Sequence, residues 1–179
     1  IAPQYSETRD AKIKKKKGDD MPKDTLVIMN LKSGEKQVFP RLKGVKYGRE
    51  LQQYIAFQTS PEPAKKGEKK PTADKSAGTH LYLMNIKTSK LDTIDIVEKY
   101  TFTDDCEYLS YITKPGKKDT VGVRGLNIKD LATGKVTTVL DGDKKMKVEL
   151  PVYDNLYGRF AFYAQTDTTK EALKYSDIY

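Results

Sequence analysis

One short phrase recurs along the chain, and it limits the folds that such a chain can adopt more than any other feature. The phrase alternates apolar and polar residues, continues with Asn or Asp, and ends in a Ser/Thr-Gly pair or a close variant of it. Three full copies and the start of a fourth begin at Leu26, Leu81, Leu126 and Leu173, which are 55, 45 and 47 residues apart. Internal repeats of this length indicate an array of similar small structural units.

Each copy of the phrase predicts a β-hairpin that is followed by further strands. Alternation with a period of two is typical of a half-buried strand, and Asn or Asp before Gly supplies a turn. The second strands of the hairpins are predicted at Lys36–Pro40, Leu91–Val97 and Lys135–Leu140. Aromatic strands follow at Tyr54–Phe57, Tyr108–Tyr111 and Phe160–Tyr163, each after a turn and another strand-like segment. Four short antiparallel strands in roughly 45 residues match one blade of a β-propeller.

We therefore predict an all-β chain, a partial β-propeller with about three four-stranded antiparallel blades. The predicted organisation is a polar lead-in with the end of a preceding blade at 1–24, a blade at 25–59, a flexible Lys/Pro-rich insertion at 60–78, blades at 79–120 and 121–168, and the first strand of a further blade at 169–179. Within the lead-in, Ala2–Tyr5 is the candidate end of the preceding strand. A β-sandwich is the alternative fold, but it does not require one phrase at a fixed longer period.

The number of repeats bears on whether the chain is complete. A closed propeller needs about four to eight blades, and this chain stops inside its fourth repeat. We therefore expect a fragment of a longer protein, with a small protein that closes by association as the alternative. An open arc of blades exposes apolar faces at both ends, so we also expect the chain to self-associate. A strictly monomeric, well-folded chain at high concentration would contradict the open arc.

The basic charge of the chain is concentrated in two lysine tracts. The formal net charge is +8, and without nine of the lysines it is −1. These nine are Lys12, Lys14, Lys15, Lys16, Lys17, Lys65, Lys66, Lys69 and Lys70. Such tracts can contact nucleic acid or anionic membranes, but no aromatic residues are interleaved with Lys14–Lys17 and two aspartates follow closely. We interpret both tracts as solvated loops and predict no nucleic-acid partner, with a basic nucleic-acid binder as the third functional hypothesis.

Membrane insertion and secretion signals were judged from the same sequence. No run of 18 apolar residues occurs, which excludes a transmembrane helix, so no membrane insertion is predicted. The first residues show no charged segment followed by an apolar one, as a signal peptide would. A single cysteine excludes an intrachain disulfide and leaves the redox compartment undefined.

No catalytic, cofactor-binding or metal site is predicted from the residues, and no cofactor is expected. Gly44 and Gly48 have the spacing of a serine nucleophile elbow, but they enclose Lys46 where the serine would stand. His80 is the only histidine of the chain. Because neither a nucleophile motif nor a Cys/His cluster accompanies it, we interpret His80 as a turn or surface residue rather than a general base or metal ligand.

Three further features, a cysteine, two groups of acidic residues and the aromatic strands, could form sites, but we interpret each as part of the folded framework. Cys106 is expected to be a buried or half-buried residue, because its neighbours Asp104 and Asp105 raise the pKa of a thiol. Those aspartates with Glu107, and Asp141–Asp143, lack the remaining oxygen ligands of a calcium loop, and a hairpin turn explains Asp141–Asp143. The aromatic strands could offer a stacking surface, but their alternation favours packing between blades.

Three segments resemble the N-terminal propeller region of bacterial prolyl oligopeptidase and dipeptidyl-peptidase-type serine peptidases. They are the phrase Leu26–Glu35 with Tyr54–Phe57, the segment Thr101–Tyr111, which is similar to the family's Phe-Ser-x-Asp-Gly-x-x-Leu-Ala-Tyr, and the lysine-rich Tyr5–Asp24. Two turns depart from the family pattern, since Cys106 and Gly48-Arg49 replace the usual Asp-Gly. The turn of the third blade around Asn155 is also looser.

The resemblance implies a non-catalytic propeller that serves as scaffold and gate for peptide substrates. In that family the propeller caps a C-terminal α/β-hydrolase domain with a Ser-Asp-His triad, and none of the triad motifs lies in this chain. The implied partners are therefore the hydrolase domain of the parent chain and peptide substrates, and the implied compartment is periplasmic or secreted. The alternative is a stand-alone propeller-type protein-interaction module.

Overall fold

The computed structural model describes residues 1–48, 53–60, 77–116, 124–142, 146–154, 158–165 and 177–178. They belong to two compact units, one within Ile1–Val45 and Phe57–Thr72 and the other within Lys46–Ala56 and Ala73–Tyr179. Most of the predicted insertion at 60–78 lies outside the described residues. No helix among the described segments is long and apolar enough to cross a membrane.

The first unit combines a short helix with the first hairpin. Its elements are α1 at Tyr5–Ile13, a 3-10 turn at Gly18–Asp20, β1 at Asp24–Met29, β2 at Lys36–Tyr47 as far as Val45, and the second half of β3, which spans Tyr54–Thr59. β1 pairs with β2 in antiparallel register from Asp24 opposite Leu42 to Met29 opposite Lys36. Phe57 is fully buried, and its ring centroid lies 4.6 Å from that of Phe39.

The helix α1 was not predicted from the sequence. Tyr5 begins this helix and is not the end of a strand, so that part of the prediction for Ala2–Tyr5 is wrong. At the start of α1 the Glu7 carboxylate accepts a hydrogen bond from the Gln4 N–H at 3.3 Å, which satisfies a backbone donor that the helix leaves unpaired. The strand-like contact of this region is made by Ile1, which pairs with Thr25.

The second unit contains the remaining strands. They are β4 at Thr79–Asn85, β5 at Leu91–Phe102, β6 at Tyr108–Thr113, β7 at Arg124–Asp130, β8 at Val136–Gly142, β9 at Lys147–Val148, β10 at Val152–Asp154, β11 at Arg159–Ala161, β12 at Tyr163–Gln165 and β13 at Asp177–Ile178. Strands β4 to β8 are consecutive antiparallel neighbours. Strand β12 lies between β9 and β13, and β10 pairs with β11.

Strand β5 pairs with two neighbouring strands, one along each half of its length. Its first half, Leu91–Val97, pairs with β4, and its second half, from Val97 to Phe102, pairs with β6. The register of the pairing with β6 shifts between Val97 and Lys99. Leu91–Val97, predicted as the second strand of its hairpin, and the strand-like segment predicted after it are therefore one continuous strand.

The same irregularity occurs in two repeats. Ile96 in β5 and Arg41 in β2 both have a positive φ, of 53° and 60°. Their carbonyl oxygens accept hydrogen bonds of 2.8 Å from the N–H groups of Lys114 and Ser60, which directly follow β6 and β3. A positive φ is rare for a β-branched residue such as Ile96. Because it recurs at the repeat spacing, the bulge is a regular feature of the long second strand in these two repeats.

The hairpin turns of the three repeats are built in the same way. A side-chain oxygen of Asn30, Asn85 or Asp130 accepts hydrogen bonds from the backbone N–H groups two and three residues later, at 2.8–3.2 Å. The Asn or Asp of the recurring phrase thus closes the turn, as such side chains commonly do. In the first and third turns Gly34 and Gly134 follow, with φ of 73° and 74°. In the second turn Ser89 occupies that position with φ 58°.

Replacing Ser89 by glycine is expected to raise the free energy of unfolding by about 0.5–1 kcal/mol. An L-residue at positive φ pays a steric cost that glycine avoids, and the entropy that glycine loses on folding offsets part of the gain. Urea unfolding of Ser89→Gly beside wild type measures the change. Gly134→Ser, which makes the reverse exchange at the equivalent position, should destabilise by about 1 kcal/mol. A Ser89→Gly variant less stable than wild type would contradict the equivalence of the three turns.

The core of the second unit consists of two groups of buried side chains. One group includes Ala56, Leu81, Leu83, Val97, Tyr100, Phe102, Cys106, Leu109, Tyr111 and Leu131. The other includes Ile112, Leu126, Met146, Val148, Phe162 and Ala164. Most of these residues lie in strands. Along the first half of β5 less and more exposed residues alternate, as the period of two predicts, whereas four successive residues of β6 and of β7 are buried.

Candidate functional site

A cleft lined by aromatic and acidic side chains lies in the second unit, between the β5–β6 turn and the β10–β11 hairpin. We call it the aromatic–acidic cleft. Its lining includes the rings of Tyr108, Tyr153 and Phe160, the carboxylates of Asp105, Glu107 and Asp154, and the guanidinium of Arg159. The acidic groups outnumber the basic one, so the cleft favours ligands with positive charge.

The β5–β6 turn holds one wall of this cleft in place. The Thr103 N–H donates to the Tyr108 carbonyl at 3.0 Å, and the Tyr108 N–H donates to the Thr103 hydroxyl at 3.0 Å. The Asp105 carboxylate accepts a hydrogen bond from the Glu107 N–H at 3.0 Å. These bonds hold the turn and the Asp105 carboxylate in place beside Tyr108, whose side chain is 39% exposed.

The β10–β11 hairpin provides the opposite wall. The ring centroids of Tyr153 and Phe160 lie 6.0 Å apart, and those of Phe160 and Phe162 lie 6.3 Å apart, so three rings form a row. The Tyr153 hydroxyl is hydrogen-bonded to the buried Ser110 hydroxyl. Burial raises the pKa of Tyr153. Its phenol therefore anchors the hairpin to β6, while the Phe160 ring remains 38% exposed.

The described side chains of this cleft are suited to binding. Aromatic faces and carboxylates together hold apolar and basic side chains of an extended peptide. The residues of the predicted aromatic strands have two different environments. Tyr111 and Phe162 are buried, whereas Tyr108 and Phe160 line the cleft.

Part of the cleft could not be located from the sequence. The sequence predicts a turn at Asp154–Gly158, looser around Asn155, and one strand at Phe160–Tyr163. In the structure, β10 and β11 extend the hairpin, and β12 begins only after Phe162. The sequence signal for this hairpin is Gly158 between Tyr157 and Phe160. This signal indicates a hairpin, but it does not indicate which other element the hairpin packs against.

Cys106 lies behind the turn as a buried residue, as expected. It is 8% exposed and has a φ of 60°, at the position where the resembled family has glycine. Burial raises the pKa of the Cys106 thiol, the nearby Asp105 carboxylate raises it further, and backbone hydrogen bonds from Gly48 and Tyr54 act in the opposite direction. A Cβ at Gly48 would lie 2.8 Å from the Cys106 Cβ, so the two residues require each other's small size.

The other residues considered as sites have structural surroundings. His80 is an exposed residue of β4, and its Nδ1 lies 2.7 Å from the Asp95 carboxylate. The Lys46 ammonium donates to the Tyr100 carbonyl at 2.9 Å and lies 5.5 Å from the centroid of the Tyr100 ring. Asp141 belongs to β8 and pairs with Gly125, so the prediction of a hairpin turn there is wrong.

Among the described residues, no three His, Cys, Asp or Glu side chains are grouped as a metal site. Asp143 lies outside those residues. The first lysine tract includes Lys12 within α1 and the exposed Lys14–Lys17 directly after it. Lys65, Lys66, Lys69 and Lys70 are not among the residues that the structure describes.

The tyrosine over which Lys46 lies makes the chain sensitive to alkaline pH. Burial raises the pKa of Tyr100 to about 12, whereas an unfolded tyrosine has a pKa of about 10. Below pH 10 the phenol is protonated in both states and stability is unaffected. As the pH rises from about 10 to 12, the unfolded chain releases the proton first, so the free energy of unfolding falls by about 2 kcal/mol.

Urea unfolding at several pH values from 9 to about 11.5 measures this loss. The difference between wild type and Tyr100→Phe isolates it, because all other groups titrate in both proteins. The Phe variant also loses the hydrogen bond from the Tyr100 hydroxyl to the Ala56 carbonyl, which is long at 3.5 Å and costs little at neutral pH. Parallel pH profiles for the two proteins would show that the phenol is not desolvated.

The chain resembles known proteins in its fold, but it matches no known protein family. No protein-family model matches the chain, and no curated protein matches it. The chain is similar in structure to the β-propeller domain of the Trilobed protease from Pyrococcus furiosus, which is described as having an open velcro topology, with a TM-score of 0.52 and 14% identity. It is also similar to the tricorn protease, with a TM-score of 0.50 and 12% identity.

The two likenesses cover most of this chain but only part of the neighbours. They cover 91% of this chain and 48% of the Trilobed protease domain, and 87% of this chain and 15% of the tricorn protease. At such low identity the likeness concerns the fold alone. The prediction of an all-β, propeller-type chain is confirmed, and both structures that it resembles come from proteases.

Proposed function

We propose that this chain is the non-catalytic propeller portion of a prolyl oligopeptidase-family serine peptidase, where it acts as scaffold and gate for peptide substrates. The observation that carries the proposal is the repeated hairpin-and-strand unit, whose fold is similar to the β-propeller domain of one protease and to part of a second protease. The segments that resemble the prolyl oligopeptidase family narrow the proposal to serine peptidases. The partner of the chain is then a C-terminal α/β-hydrolase domain, which supplies the nucleophile.

The aromatic–acidic cleft supports the part of the proposal that concerns peptides. Its exposed rings, Tyr108 and Phe160, offer apolar contact area with few rotatable bonds. Its carboxylates attract the basic side chains of a peptide substrate, and a hydrogen bond from the Glu107 N–H holds the Asp105 carboxylate in place. A propeller with such a cleft can select peptides by size and charge without taking part in bond cleavage.

The test compares the full-length product of the gene with the 179-residue chain. Both are treated with a fluorophosphonate probe that labels active serines, and both are assayed on short and long peptides. We expect the full-length protein to be labelled and to cleave short peptides, and the 179-residue chain to do neither. A full-length product no longer than a propeller that is never labelled would overturn the proposal in favour of a stand-alone protein-interaction module.

The gating role is tested by neutralising the cleft in the full-length protein. Asp105→Asn combined with Glu107→Gln should raise the KM for basic peptides several-fold, with kcat and the rate of probe labelling unchanged, because these side chains do not touch the scissile bond. Glu35→Gln, which removes an exposed carboxylate from the first hairpin turn, is the control and should change neither. Equal KM values for all three proteins would remove the cleft from the gate.

Self-association of the 179-residue chain is part of the same proposal. In the first unit, Met29, Leu31 and Val38 are 45%, 88% and 58% exposed, so apolar surface remains uncovered. Sedimentation at rising concentration should show dimers or larger species. A monomer at all concentrations would contradict the open arc of blades.

A further inference from the structure

Two carboxylates give the aromatic–acidic cleft its net negative charge. Asp154 and Arg159 are cross-strand partners in the β10–β11 pairing, so their opposite charges offset each other. Asp105 and Glu107, both exposed, are the other charged residues of the lining that the structure describes. The Asp105 carboxylate accepts a hydrogen bond from the Glu107 N–H and has the capacity for more. A cationic ligand with several donors therefore matches this part of the cleft.

The aromatic wall of the cleft is held in place by its own packing. Phe160 lies between Tyr153 and Phe162 in the row of rings, with centroid distances of 6.0 and 6.3 Å. The Tyr153 hydroxyl is tied to that of Ser110, and Phe162 is buried, so both neighbours of the Phe160 ring are fixed. Burial raises the pKa of Tyr153, the bond to Ser110 lowers it, and the Asp105 carboxylate raises it again. The last effect indicates that the acidic turn lies close to the row of rings.

Partly exposed rings beside carboxylates distinguish between the two basic side chains of proteins. Tyr108 and Phe160 both line the cleft and are both partly exposed, so they offer ring surface to a ligand. A guanidinium is flat and weakly hydrated, so it can stack on a ring and donate hydrogen bonds from its edge to carboxylates at the same time. A lysine ammonium is compact and strongly hydrated, and it loses more hydration when it lies against a ring.

We propose that the aromatic–acidic cleft binds the side chain of an arginine residue of a peptide in preference to that of a lysine. The guanidinium lies against the exposed rings, and its N–H groups donate to the carboxylates of Asp105 and Glu107. The cleft has a volume of about 340 Å³, which is at the lower end for ligand pockets and suits a single long side chain. Within the proposed function, on which this assignment rests, arginine is the residue by which the gate selects a peptide.

The experiment titrates the 179-residue chain with short peptides and follows its amide NMR shifts. The peptides have acetyl and amide ends and glycines around a central arginine, lysine or citrulline, so only the central side chain differs. Citrulline keeps the planar end of arginine but carries no charge. We expect the arginine peptide to bind about 5- to 10-fold tighter than the lysine peptide and the citrulline peptide to bind most weakly. The shift changes should be concentrated in the β5–β6 turn and the β10–β11 hairpin.

Two variants separate the contribution of the ring from that of the charge. Phe160→Leu keeps an apolar side chain without an aromatic face, so it should weaken arginine binding several-fold and leave lysine binding nearly unchanged. Glu107→Gln removes a charge and should weaken the binding of both peptides by a similar factor. If Phe160→Leu does not fold, Tyr108→Leu repeats the ring test on the β6 side. Glu35→Gln, in the first hairpin turn, is the matched control and should bind as wild type does.

Three outcomes would overturn the proposal. They are equal affinity for the arginine and lysine peptides, failure of the arginine peptide to bind, and arginine binding that is the same in wild type, Phe160→Leu and Glu107→Gln. Fluorophosphonate labelling of the full-length protein judges the proposed function separately. Labelling without an arginine preference would reject only the cleft assignment, whereas an arginine preference without labelling would support that assignment and reject the peptidase.

Discussion

Replacing Gly78 by alanine is expected to lower the free energy of unfolding by about 4 kcal/mol, or to prevent folding of the second unit. A Cβ at this position would lie 2.7 Å from the carbonyl carbon of Val97 and closer still to the carbonyl group of Ile96. These are backbone atoms of the bulge in β5, where Ile96 already has a positive φ. The Gly78 N–H also donates to the Lys114 carbonyl at 2.8 Å, so the segment cannot move away without losing that bond.

Urea unfolding followed by circular dichroism measures the loss, and Gly134→Ala is the matched control. Gly134 has a φ of 74°, but a Cβ there would meet no atom within 4 Å. The control therefore pays only the backbone cost of a positive φ, about 1 kcal/mol. Similar losses for the two variants would mean that the β5 bulge yields easily and that Gly78 is not constrained by contact.

Replacing Leu81 by alanine is expected to cost about 3–4 kcal/mol, because the side chain is fully buried in the core of the second unit. The same substitution at Leu26, the equivalent residue of the first repeat, should cost about 1 kcal/mol, since that side chain remains half-exposed in β1. The two leucines begin the same phrase, so propensity and turn chemistry cancel in the comparison.

Leu126→Ala extends the comparison to the third repeat. Leu126 is fully buried, as Leu81 is, and its loss should be of similar size. Chemical unfolding of the three variants under one set of conditions gives the ranking. If Leu26→Ala destabilises as much as Leu81→Ala, another molecule covers β1 in solution. Self-association must then be measured in the same sample.

Much of the fold could be predicted from interactions between residues close together in the sequence. Asn30, Asn85 and Asp130 each close a turn with their own side chain, which requires only residues two and three positions later. Alternation likewise predicted β4, β6 and β7 as strands, although β6 and β7 are buried on both faces and not on one. The helix α1 was missed because nine residues with scattered charges carry no clear apolar face.

The candidate site was less accessible from the sequence. Tyr108 and Phe160 are predicted from the sequence as members of aromatic strands, with packing between blades as the favoured interpretation. Tyr111 is buried in agreement with that interpretation, whereas Tyr108 and Phe160 stay partly exposed and line the cleft. Strand periodicity assigns a residue to a face of a sheet, but it does not say whether another element covers that face.

The sequence by itself determined the repeat, the hairpins and their turns, because each depends on interactions between residues close together in the chain. Only the tertiary structure decided that β5 pairs with β4 and then with β6 without a break, that the β10–β11 hairpin completes the aromatic–acidic cleft, and that equivalent positions of the phrase differ in burial. Met29 and Met84 show the reason, because they share a residue type and a position in the phrase and differ in the neighbouring strand. Burial is a property of the neighbours that a strand acquires, and those neighbours are set by long-range pairing.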